Sequence, residues 1–279
     1  MTRRKPDWLK IKLPKGENYH FVSEIVHKYH LHTICESGKC PNIGECWGNR
    51  TATFMILGDI CTRSCKFCNT KTGKPLPPEA AEPDKLARAI KLMKLKHAVI
   101  TSVDRDDLPD KGASHWADCI NKIHEINPDT TMETLIPDFN GKHDLLDKII
   151  AAKPDIVSHN VETVERLTPQ VRSHAKYNTS LDVIRHLSEQ GIRSKSGIML
   201  GLGETDDEIY NTMDDLLDAG CEILTIGQYL QPTAKHLPVD RYVPPEAFDK
   251  MKHTGLDKGF TFVESGPLVR SSYHADQQV

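Results

Sequence analysis

Two triplets of cysteines near the start of the chain are the residues whose types and spacing could do chemistry. The second triplet, Cys61, Cys65 and Cys68, has the spacing C-x3-C-x2-C. Three thiolates this close together can bind three irons of a [4Fe–4S] cube, because soft sulfur ligands suit iron–sulfur clusters. No further cysteine lies nearby. The spacing therefore predicts a cluster with one iron left open to a chelating substrate.

Zinc is the main alternative for this second triplet. Zinc motifs usually combine C-x2-C with a second such pair or with histidines at a set spacing, and the sequence offers neither beside Cys68. A disulfide framework is disfavoured by the expected compartment. The basic first residues are followed by no apolar stretch, and no apolar run approaches the ~20 residues that span a bilayer. We therefore expect a cytoplasmic protein, whose thiols stay reduced.

The first triplet, Cys35, Cys40 and Cys46, has the spacing C-x4-C-x5-C and again lacks an adjacent fourth cysteine. Plain buried thiols are the alternative, since free cysteine is often buried. The surrounding residues, however, favour a ligand loop over a core strand: Gly38, Pro41, Gly44 and Gly48. A second cluster is therefore predicted here. The remaining cysteines, Cys119 and Cys221, are isolated and are expected in the core.

A regular alternation of strands and helices has to position these cysteines. Six short apolar runs are predicted as buried strands, at residues 51–58, 98–103, 131–136, 155–161, 196–201 and 223–230, with a short extra strand at 261–264. Helical stretches lie between them, and one begins at Thr205, with Glu208 completing a capping-box pattern. Strands that alternate with helices imply βαβ units and a parallel sheet.

Six such units with right-handed crossovers favour an α/β barrel or a part of one, with a doubly wound open sheet as the alternative. In either fold a site forms at the C-terminal ends of the strands. The second triplet directly follows the first predicted strand, and so belongs at that end. Residues 1–50 show no clear period and are interpreted as an extension wrapped on the main body.

The segment CTRSCKFC at residues 61–68, with the aromatic Phe67 before its last cysteine, resembles the cluster loop of the radical-SAM superfamily. The resemblance implies a partial (β/α)6 TIM-type barrel. It also implies that the amino and carboxylate groups of S-adenosylmethionine chelate the open iron, and that reduction yields a 5′-deoxyadenosyl radical. Such a radical abstracts hydrogen from an unactivated C–H bond, a step that the cofactor carries rather than a side chain.

The same resemblance predicts the cofactor pocket at the strand ends. The residues expected to line it are Phe67, Thr101, Ser102, Asp104, Asn160, Glu162, Lys195, Ser196 and Met199. The Gly-Gly-Glu motif that many superfamily members carry is absent. The stretch GIMLGLGE at 197–204 resembles the superfamily's G-x-I-x-G-x-x-E segment, with Met199 in the isoleucine place; a plain strand-to-helix turn is the alternative for its glycines.

Longer motifs narrow the resemblance to the lipoyl synthase family, over residues 35–276. They are CESGKCPNIGECW (35–47), TATFMILGD (51–59), TSVDRDDL (101–108), ETLIPDF (133–139), HNVETV (159–164), QYLQPT (228–233) and GPLVRSSYHAD (266–276). The family implies that the first triplet holds an auxiliary [4Fe–4S] cluster together with a serine of the C-terminal Arg-Ser-Ser-Tyr. Ser272 is the expected ligand, and Ser271 is the alternative.

The family further implies that this auxiliary cluster is consumed as the sulfur source. Two sulfurs would be inserted at C6 and C8 of an octanoyl chain bound to a lysine of a lipoyl carrier domain, as the final step of lipoate cofactor biosynthesis. Catalysis is assigned to Cys61, Cys65, Cys68 and Ser272. The expected domains are an N-terminal extension with the auxiliary ligands (1–50), the radical-SAM partial barrel (51–259) and a C-terminal extension with the serine ligand (260–279).

The implied partners are an octanoylated carrier domain (of a 2-oxoacid dehydrogenase E2 or the glycine cleavage H protein), a ferredoxin- or flavodoxin-type reductant and an iron–sulfur carrier. A formal net charge of −3 argues against a nucleic-acid partner, and no membrane partner is expected. The alternatives are another sulfur-inserting radical-SAM enzyme, such as a biotin synthase-like one, a non-catalytic electron carrier with two fully ligated clusters, and a zinc-binding interaction module.

Overall fold

The computed structural model describes residues 4–11 and 16–278, which form an α/β fold. Its strands are β1 (His32–Thr33), β2 (Thr53–Ile56), β3 (Ile60–Cys61), β4 (Lys71–Thr72), β5 (His97–Ser102), β6 (Thr131–Leu135), β7 (Ile156–Ser158), β8 (Ser194–Leu200), β9 (Ile223–Gln228) and β10 (Phe262–Gly266). The main sheet has the order β1-β2-β5-β6-β7-β8-β9-β10, and only β1 is antiparallel to its neighbour. The six predicted strands, the extra strand and the parallel pairing are confirmed.

Helices connect successive strands of the parallel part. The described helices are α1 (Glu17–Lys28), α2 (Ile34–Ser37), α3 (Ile43–Gly48), α4 (Glu82–Met93), α5 (Ala113–Ile126), α6 (His143–Ala151), α7 (Thr168–Val171), α8 (Tyr177–Glu189), α9 (Asp206–Asp218) and α10 (Pro245–Lys258). The capping box predicted at Thr205 and Glu208 is present at the start of α9. Helix α1 is not among the predicted elements. It buries Val22, Ile25 and Val26, a helical spacing within a polar segment.

The sheet is open rather than closed into a barrel. Strands β1 and β10 stand at its two edges, and no pairing joins them in the described part of the chain. Six parallel strands, β2 and β5 to β9, match the partial (β/α)6 barrel expected from the sequence. No helix in residues 4–11 and 16–278 is long and apolar enough to cross a membrane.

The two faces of the sheet have different coverings. Ile198 and Leu200 of β8 pack into a core shared with helices α8, α9 and α10. Because side chains alternate along a strand, Lys195, Gly197 and Met199 face the other way. We call this side, which points away from the helices, the inner face.

A buried ion pair ties three strands together on the inner face. Lys195 Nζ lies 2.8 Å from a carboxylate oxygen of Glu133, and both side chains are fully buried. The hydroxyl of Ser158 donates to the other oxygen of Glu133 at 2.7 Å. A buried charge is tolerated only when it is paired and hydrogen-bonded in this way, so the pair fixes β6, β7 and β8 relative to each other.

The C-terminal tail, residues 267–278, leaves β10 and runs along the inner face. The carbonyl oxygen of Val269 lies 2.2 Å from the position that a Cβ atom on Gly227 would occupy. Farther along the tail, the hydroxyls of Ser271 and Ser272 accept hydrogen bonds from Asn160 and Thr53, each at 2.7 Å. The tail can therefore lie this close to the sheet only because residue 227 has no side chain.

This close approach predicts that Gly227→Ala displaces the tail. The added methyl group meets the backbone of Val269, which cannot rotate away as a side chain can. Such overpacking typically costs about 1–3 kcal/mol. We expect a corresponding loss in the free energy of unfolding, measured by denaturant titration, and faster proteolysis within the tail, mapped by mass spectrometry.

Gly266→Ala is the matched control. Its Cβ would lie 3.3 Å from a side-chain methyl of Val269, which can move. This variant should keep the stability and the proteolysis pattern of the parent protein. Equal proteolysis of the tail in both variants would contradict the account of Gly227.

Candidate active site

The loop that carries the second cysteine triplet follows β2 and is tied to the end of β5. The N–H and the hydroxyl of Thr62 both donate to the carbonyl oxygen of Asp104, at 3.0 and 2.9 Å. The sulfur of Cys61 accepts the backbone N–H groups of Arg63 and Asp104, each at 3.4 Å. Hydrogen bonds to a sulfur favour its charged form, so the loop is arranged to hold a thiolate ligand.

A buried arginine inside this loop, Arg63, is surrounded by carboxylates. Its nitrogens lie 2.6 Å from Asp106 and 2.8 Å from Asp138. A third carboxylate, that of Asp104, lies at 3.3 Å, and Asn140 Oδ1 accepts a further hydrogen bond at 2.7 Å. These contacts fasten the cluster loop to the segments that follow β5 and β6.

The Cys61 and Cys68 thiols of the second triplet do not ionise readily in the protein alone. Burial, together with the nearby charge of Asp104, raises the pKa of Cys61 to about 12, and burial also raises the pKa of Cys68. Cluster ligands must be thiolates, so cluster binding at this loop releases protons. The positive charge of the irons would compensate for the burial of the thiolates.

Asn160 and Glu162, two of the predicted pocket residues, lie together on the inner face beyond β7. Asn160 Nδ2 donates to Glu162 Oε1 at 3.2 Å and to Ser271 Oγ at 2.7 Å. The backbone of Glu162 has a φ of 68° and is held by hydrogen bonds to Gly197 and Met199. Within the described residues, Asn160 Oδ1 is buried without a hydrogen-bond partner. Because an unpaired buried acceptor is costly, this pocket fits a polar ligand such as S-adenosylmethionine.

Several other predicted pocket residues have different partners. The hydroxyl of Thr101 donates to a backbone carbonyl of β6, and that of Ser102 accepts the indole N–H of Trp116 in helix α5. Lys195 is engaged by Glu133, as described above. These contacts turn Ser102 towards the helices and leave Lys195 without a free hydrogen-bonding role at the strand ends.

The remaining predicted positions lie closer to the cluster loop or within the sheet. Phe67 is half-buried and packs against the core near helices α8 to α10. The hydroxyl of Ser196 accepts the N–H of Val161 at 3.3 Å. Asp104 lies against the Cys61 sulfur, and burial raises the pKa of its carboxyl. Phe67 and Asp104 therefore lie at the cluster loop, and Ser196 supports the backbone between Asn160 and Glu162.

The first triplet is held by two short helices and the turn between them. Cys35 lies in α2 and Cys46 in α3, and the N–H of Cys40 donates to the carbonyl of Cys35 at 3.0 Å. Burial raises the pKa of Cys35 to about 11. Burial and the charges of the other two cysteines raise that of Cys46 to about 12. The fold thus brings the three sulfurs close enough to influence each other.

The C-terminal tail closes over this triplet. Asn42 Nδ2 donates to the carbonyl of Leu268 at 2.7 Å, and the hydroxyl of Tyr273 donates to Glu45 at 3.1 Å. Arg270 lies near Cys40, and burial lowers the pKa of its guanidinium. The two predicted candidate ligands separate here, because Ser271 contacts Asn160 in the pocket and Ser272 contacts Thr53.

The surroundings of the first triplet fit a cluster. The indole N–H of Trp47 is fully buried without a hydrogen-bond acceptor in the described residues, and its nearness favours the thiolate form of Cys35. A thiolate bound to iron would provide that acceptor. In the described part of the chain, no three His, Cys, Asp or Glu side chains converge on a position suited to a single metal ion. The three cysteine sulfurs are themselves a donor set that suits an iron–sulfur cluster.

Three residues of the site did not stand out in the sequence. Arg63 anchors the cluster loop, Arg172 lies near the charges of Glu162 and Asp104, and Thr53 contacts Ser272. The sequence contained a weak indication of the role of Arg63. It lies between Cys61 and Cys65, and a charged side chain at such a position needs a partner of opposite charge. Thr53 lies within an apolar strand and had no such indication.

The fold and a family match define the class of protein. A model described as the Radical SAM superfamily matches residues 55–216, more than half of the chain. Streptococcus suis SuiB bound to precursor peptide SuiA shares the fold at a TM-score of 0.61 and 10% identity, over 85% of this chain and 54% of that chain. HydG, a maturase of the [FeFe]-hydrogenase, shares the fold at a TM-score of 0.58 and 14% identity, over 94% of this chain and 65% of that chain. The chain is a radical-SAM enzyme, a class that uses S-adenosylmethionine and a [4Fe–4S] cluster.

The family within this class follows from closer relatives. A model described as the N-terminal domain of lipoyl synthase of the radical-SAM family matches residues 1–40. The lipoyl synthase of Bacteroides fragilis (strain YCH46) is 63% identical over 99% of this chain and 96% of its own length. The lipoyl synthase of Parabacteroides distasonis is 60% identical over 99% of this chain and 98% of its own length. The mitochondrial lipoyl synthase of Nematostella vectensis is 60% identical over 99% of this chain and 95% of its own length. The chain therefore belongs to the lipoyl synthase family.

The Arg63 network predicts an acid-sensitive contribution to stability. Burial opposes ionisation of Asp138, but the hydrogen bond and charge of Arg63, together with His159 and the N–H of Asn140, outweigh it and lower the pKa from 3.8 to about 2. A carboxyl with a lowered pKa stabilises the fold above its unfolded pKa. That contribution, about 2 kcal/mol, is lost as the pH falls from about 4 to about 2. Asp138→Asn should therefore lower the free energy of unfolding of the cluster-free protein at pH 7 and flatten its decline below pH 4, in denaturant titrations.

The control for this prediction is Asp182→Asn, which removes an exposed carboxylate paired only with His143. Exposed pairs contribute little, so this variant should follow the parent protein at each pH. An unchanged acid dependence in Asp138→Asn would show that the network does not stabilise the loop.

Proposed function

We propose that this chain inserts two sulfur atoms, at C6 and C8, into an octanoyl chain attached to a lysine of a lipoyl carrier domain. The observation that carries the proposal is that two adjacent serines of the C-terminal tail contact different parts of the site. Ser271 reaches Asn160 in the pocket beside the second triplet, and Ser272 reaches Thr53 beside the first triplet. One short segment thus contributes to both predicted centres, as a reaction that needs both would require.

The second triplet is proposed to hold the cluster that generates the radical. When bound there, a [4Fe–4S] cluster and S-adenosylmethionine supply a 5′-deoxyadenosyl radical that can remove hydrogen from a C–H bond. Cys61, Cys65 and Cys68 would bind the cluster. The N–H groups that donate to Cys61 hold its sulfur in place, and Asn160 Oδ1 offers a hydrogen-bond acceptor to the cofactor.

The first triplet is proposed to hold the auxiliary cluster that provides the sulfur. Cys35, Cys40 and Cys46 would be its thiolate ligands, and Ser272 its fourth ligand. The contact between Ser272 and Thr53, whose backbone lies near the Cys35 thiol, supports Ser272 over Ser271. An oxygen ligand matches iron less well than a thiolate does, so this ligand is suited to a centre that must give up sulfur.

The tail is proposed to keep water away from the reacting carbon. It lies between the inner face and the first triplet, and it is fixed by Asn42, Thr53 and Asn160. A covered site prevents side reactions of a reactive intermediate. We accordingly assign residues 1–50 and 260–279 as the two extensions that supply auxiliary ligands and cover, and residues 51–259 as the radical-SAM core.

The partners follow from this chemistry. The substrate would be an octanoylated carrier domain, of a 2-oxoacid dehydrogenase E2 or a glycine cleavage H protein. A ferredoxin- or flavodoxin-type protein would supply electrons, and an iron–sulfur carrier would rebuild the spent cluster. The biotin synthase-like alternative has no observation in its favour, since full-length relatives of this chain are lipoyl synthases.

The proposal predicts different results for the two serines. Ser272→Cys should bind both clusters but insert sulfur at least about 10-fold more slowly, because a thiolate holds the auxiliary iron more firmly. Ser271→Ala should keep both clusters and weaken binding of S-adenosylmethionine, since Asn160 loses a partner. Iron and sulfide content, cofactor binding and the mass gain of an octanoyl-lysine peptide would be measured after anaerobic reconstitution.

The reference for both variants is Ser114→Ala, which removes an exposed hydroxyl of helix α5 that accepts a hydrogen bond from Lys148. Undiminished sulfur insertion by Ser272→Cys would rule out a labile oxygen ligand at this position. Release of 5′-deoxyadenosine without any gain of sulfur in the parent protein would leave the radical chemistry but remove sulfur insertion.

A further inference from the structure

Thr53 contacts both kinds of ligand proposed for the auxiliary cluster. It is the first residue of β2 and is 5% exposed. Its backbone lies near the Cys35 thiol and favours the thiolate form, and its hydroxyl donates to Ser272 Oγ at 2.7 Å. A single residue thus links a cysteine of the N-terminal segment to a serine more than two hundred positions later (272 − 35 = 237).

The two partners of this hydrogen bond differ in how firmly they are held. Thr53 belongs to β2, which pairs with β1 on one side and with β5 on the other. In the pairing with β5, Val99 lies opposite Thr53. Its branched side chain also has few rotamers available. Ser272 lies in an irregular turn, and its hydroxyl has no other hydrogen bond in the described residues.

The direction of the hydrogen bond suits a metal ligand. A serine oxygen that binds iron uses a lone pair and gives up its proton or has it directed away. It can then only accept a hydrogen bond from a neighbour. The Thr53 hydroxyl already donates to this oxygen, so ligation does not require the contact to be broken or reversed. Hydrogen bonds to ligands from a surrounding shell commonly fix ligand orientation and tune the metal centre.

We infer that Thr53 is a positioning residue, which holds the Ser272 oxygen at the open side of the first cysteine triplet. The inference rests on the proposed function, because it assumes that Ser272 is a cluster ligand. Thr53 touches neither the substrate nor the reacting atoms. It acts by restricting Ser272 to the side-chain orientation in which its oxygen accepts the Thr53 hydroxyl.

The hydroxyl of Thr53, rather than the size of its side chain, is the group that positions Ser272. Thr53→Val keeps the branched shape and removes the donor, whereas Thr53→Ser keeps the donor and removes one methyl group. Loss of one hydrogen bond is typically worth about 0.5–1.5 kcal/mol, a factor of about 2 to 12 in a rate or an equilibrium. Thr53→Val should thus loosen the auxiliary cluster by this factor, and Thr53→Ser should resemble the parent.

The experiment is a double-mutant cycle on the full-length protein that carries only the auxiliary cluster, obtained with Cys61, Cys65 and Cys68 changed to alanine. The rate at which an iron chelator removes the cluster is followed by absorbance. Mössbauer spectra report whether one iron has a distinct, oxygen-containing environment. Four proteins are compared, the parent, Thr53→Val, Ser272→Ala and the combination of the two, with Thr53→Ser as the conservative control.

The expected result is non-additive. Thr53→Val should speed cluster loss and diminish the distinct iron signal in the parent, yet have no further effect once Ser272 is alanine. Additive effects of the two changes would overturn the inference, because Thr53 would then act on the fold rather than through Ser272. An unchanged rate and spectrum in Thr53→Val would also overturn it.

The failure of the underlying proposal gives a different pattern. If Ser272→Ala alone alters neither the rate of cluster loss nor the Mössbauer spectrum, Ser272 is not a ligand and both ideas fail. If Ser272→Ala alters them and Thr53→Val does not, the ligand assignment stands and only the role of Thr53 falls. Denaturant titration of the cluster-free variants detects a general loss of stability, which the inference does not predict for Thr53→Val relative to Thr53→Ser.

Discussion

An open sheet of parallel strands has an inner face that must be covered, and in this protein the cover is the chain's own C-terminal tail. The tail fits because Gly227 presents no side chain to the carbonyl of Val269. Once the backbone is held at that distance, the next residues have little freedom. Ser271 and Ser272, at the start of the turn formed by residues 271–274, then contact different partners, Asn160 and Thr53.

Charge burial is the second organising constraint. The Cys35, Cys46 and Cys61 thiols have raised pKa values because the fold withdraws them from water. Without iron, they are neutral and the site is incomplete. The buried positive charge of Arg63 is paired with the carboxylates of Asp106 and Asp138. These ion pairs therefore hold the cluster loop in place before any cluster binds. Its buried Cys61 and Cys68 thiols would lose their protons when the positive irons bind.

Much of the fold was predictable from local patterns. Buried parallel strands are continuous apolar runs, since helices or the tail cover both faces, and β2 and β5 to β9 all occur at predicted positions. The start of α9 was predictable because Thr205 and Glu208 satisfy each other's backbone groups locally. Helix α1 was not, because its few apolar residues acquire meaning only from the surface of α3 and α4 against which they pack.

The sequence by itself determined the two cysteine triplets and the class of chemistry, because the spacing of the cysteines is a local covalent property of the chain. It favoured Ser272 as a ligand and left Ser271 as the alternative, since one residue of register along a tail cannot be read from neighbours in sequence. Only the tertiary structure separates Ser271 from Ser272, and only it reveals Arg63 and Thr53 as partners of the site. Those roles depend on contacts between segments that are far apart in the chain, and such contacts exist only after the sheet has formed and the tail has been laid across it.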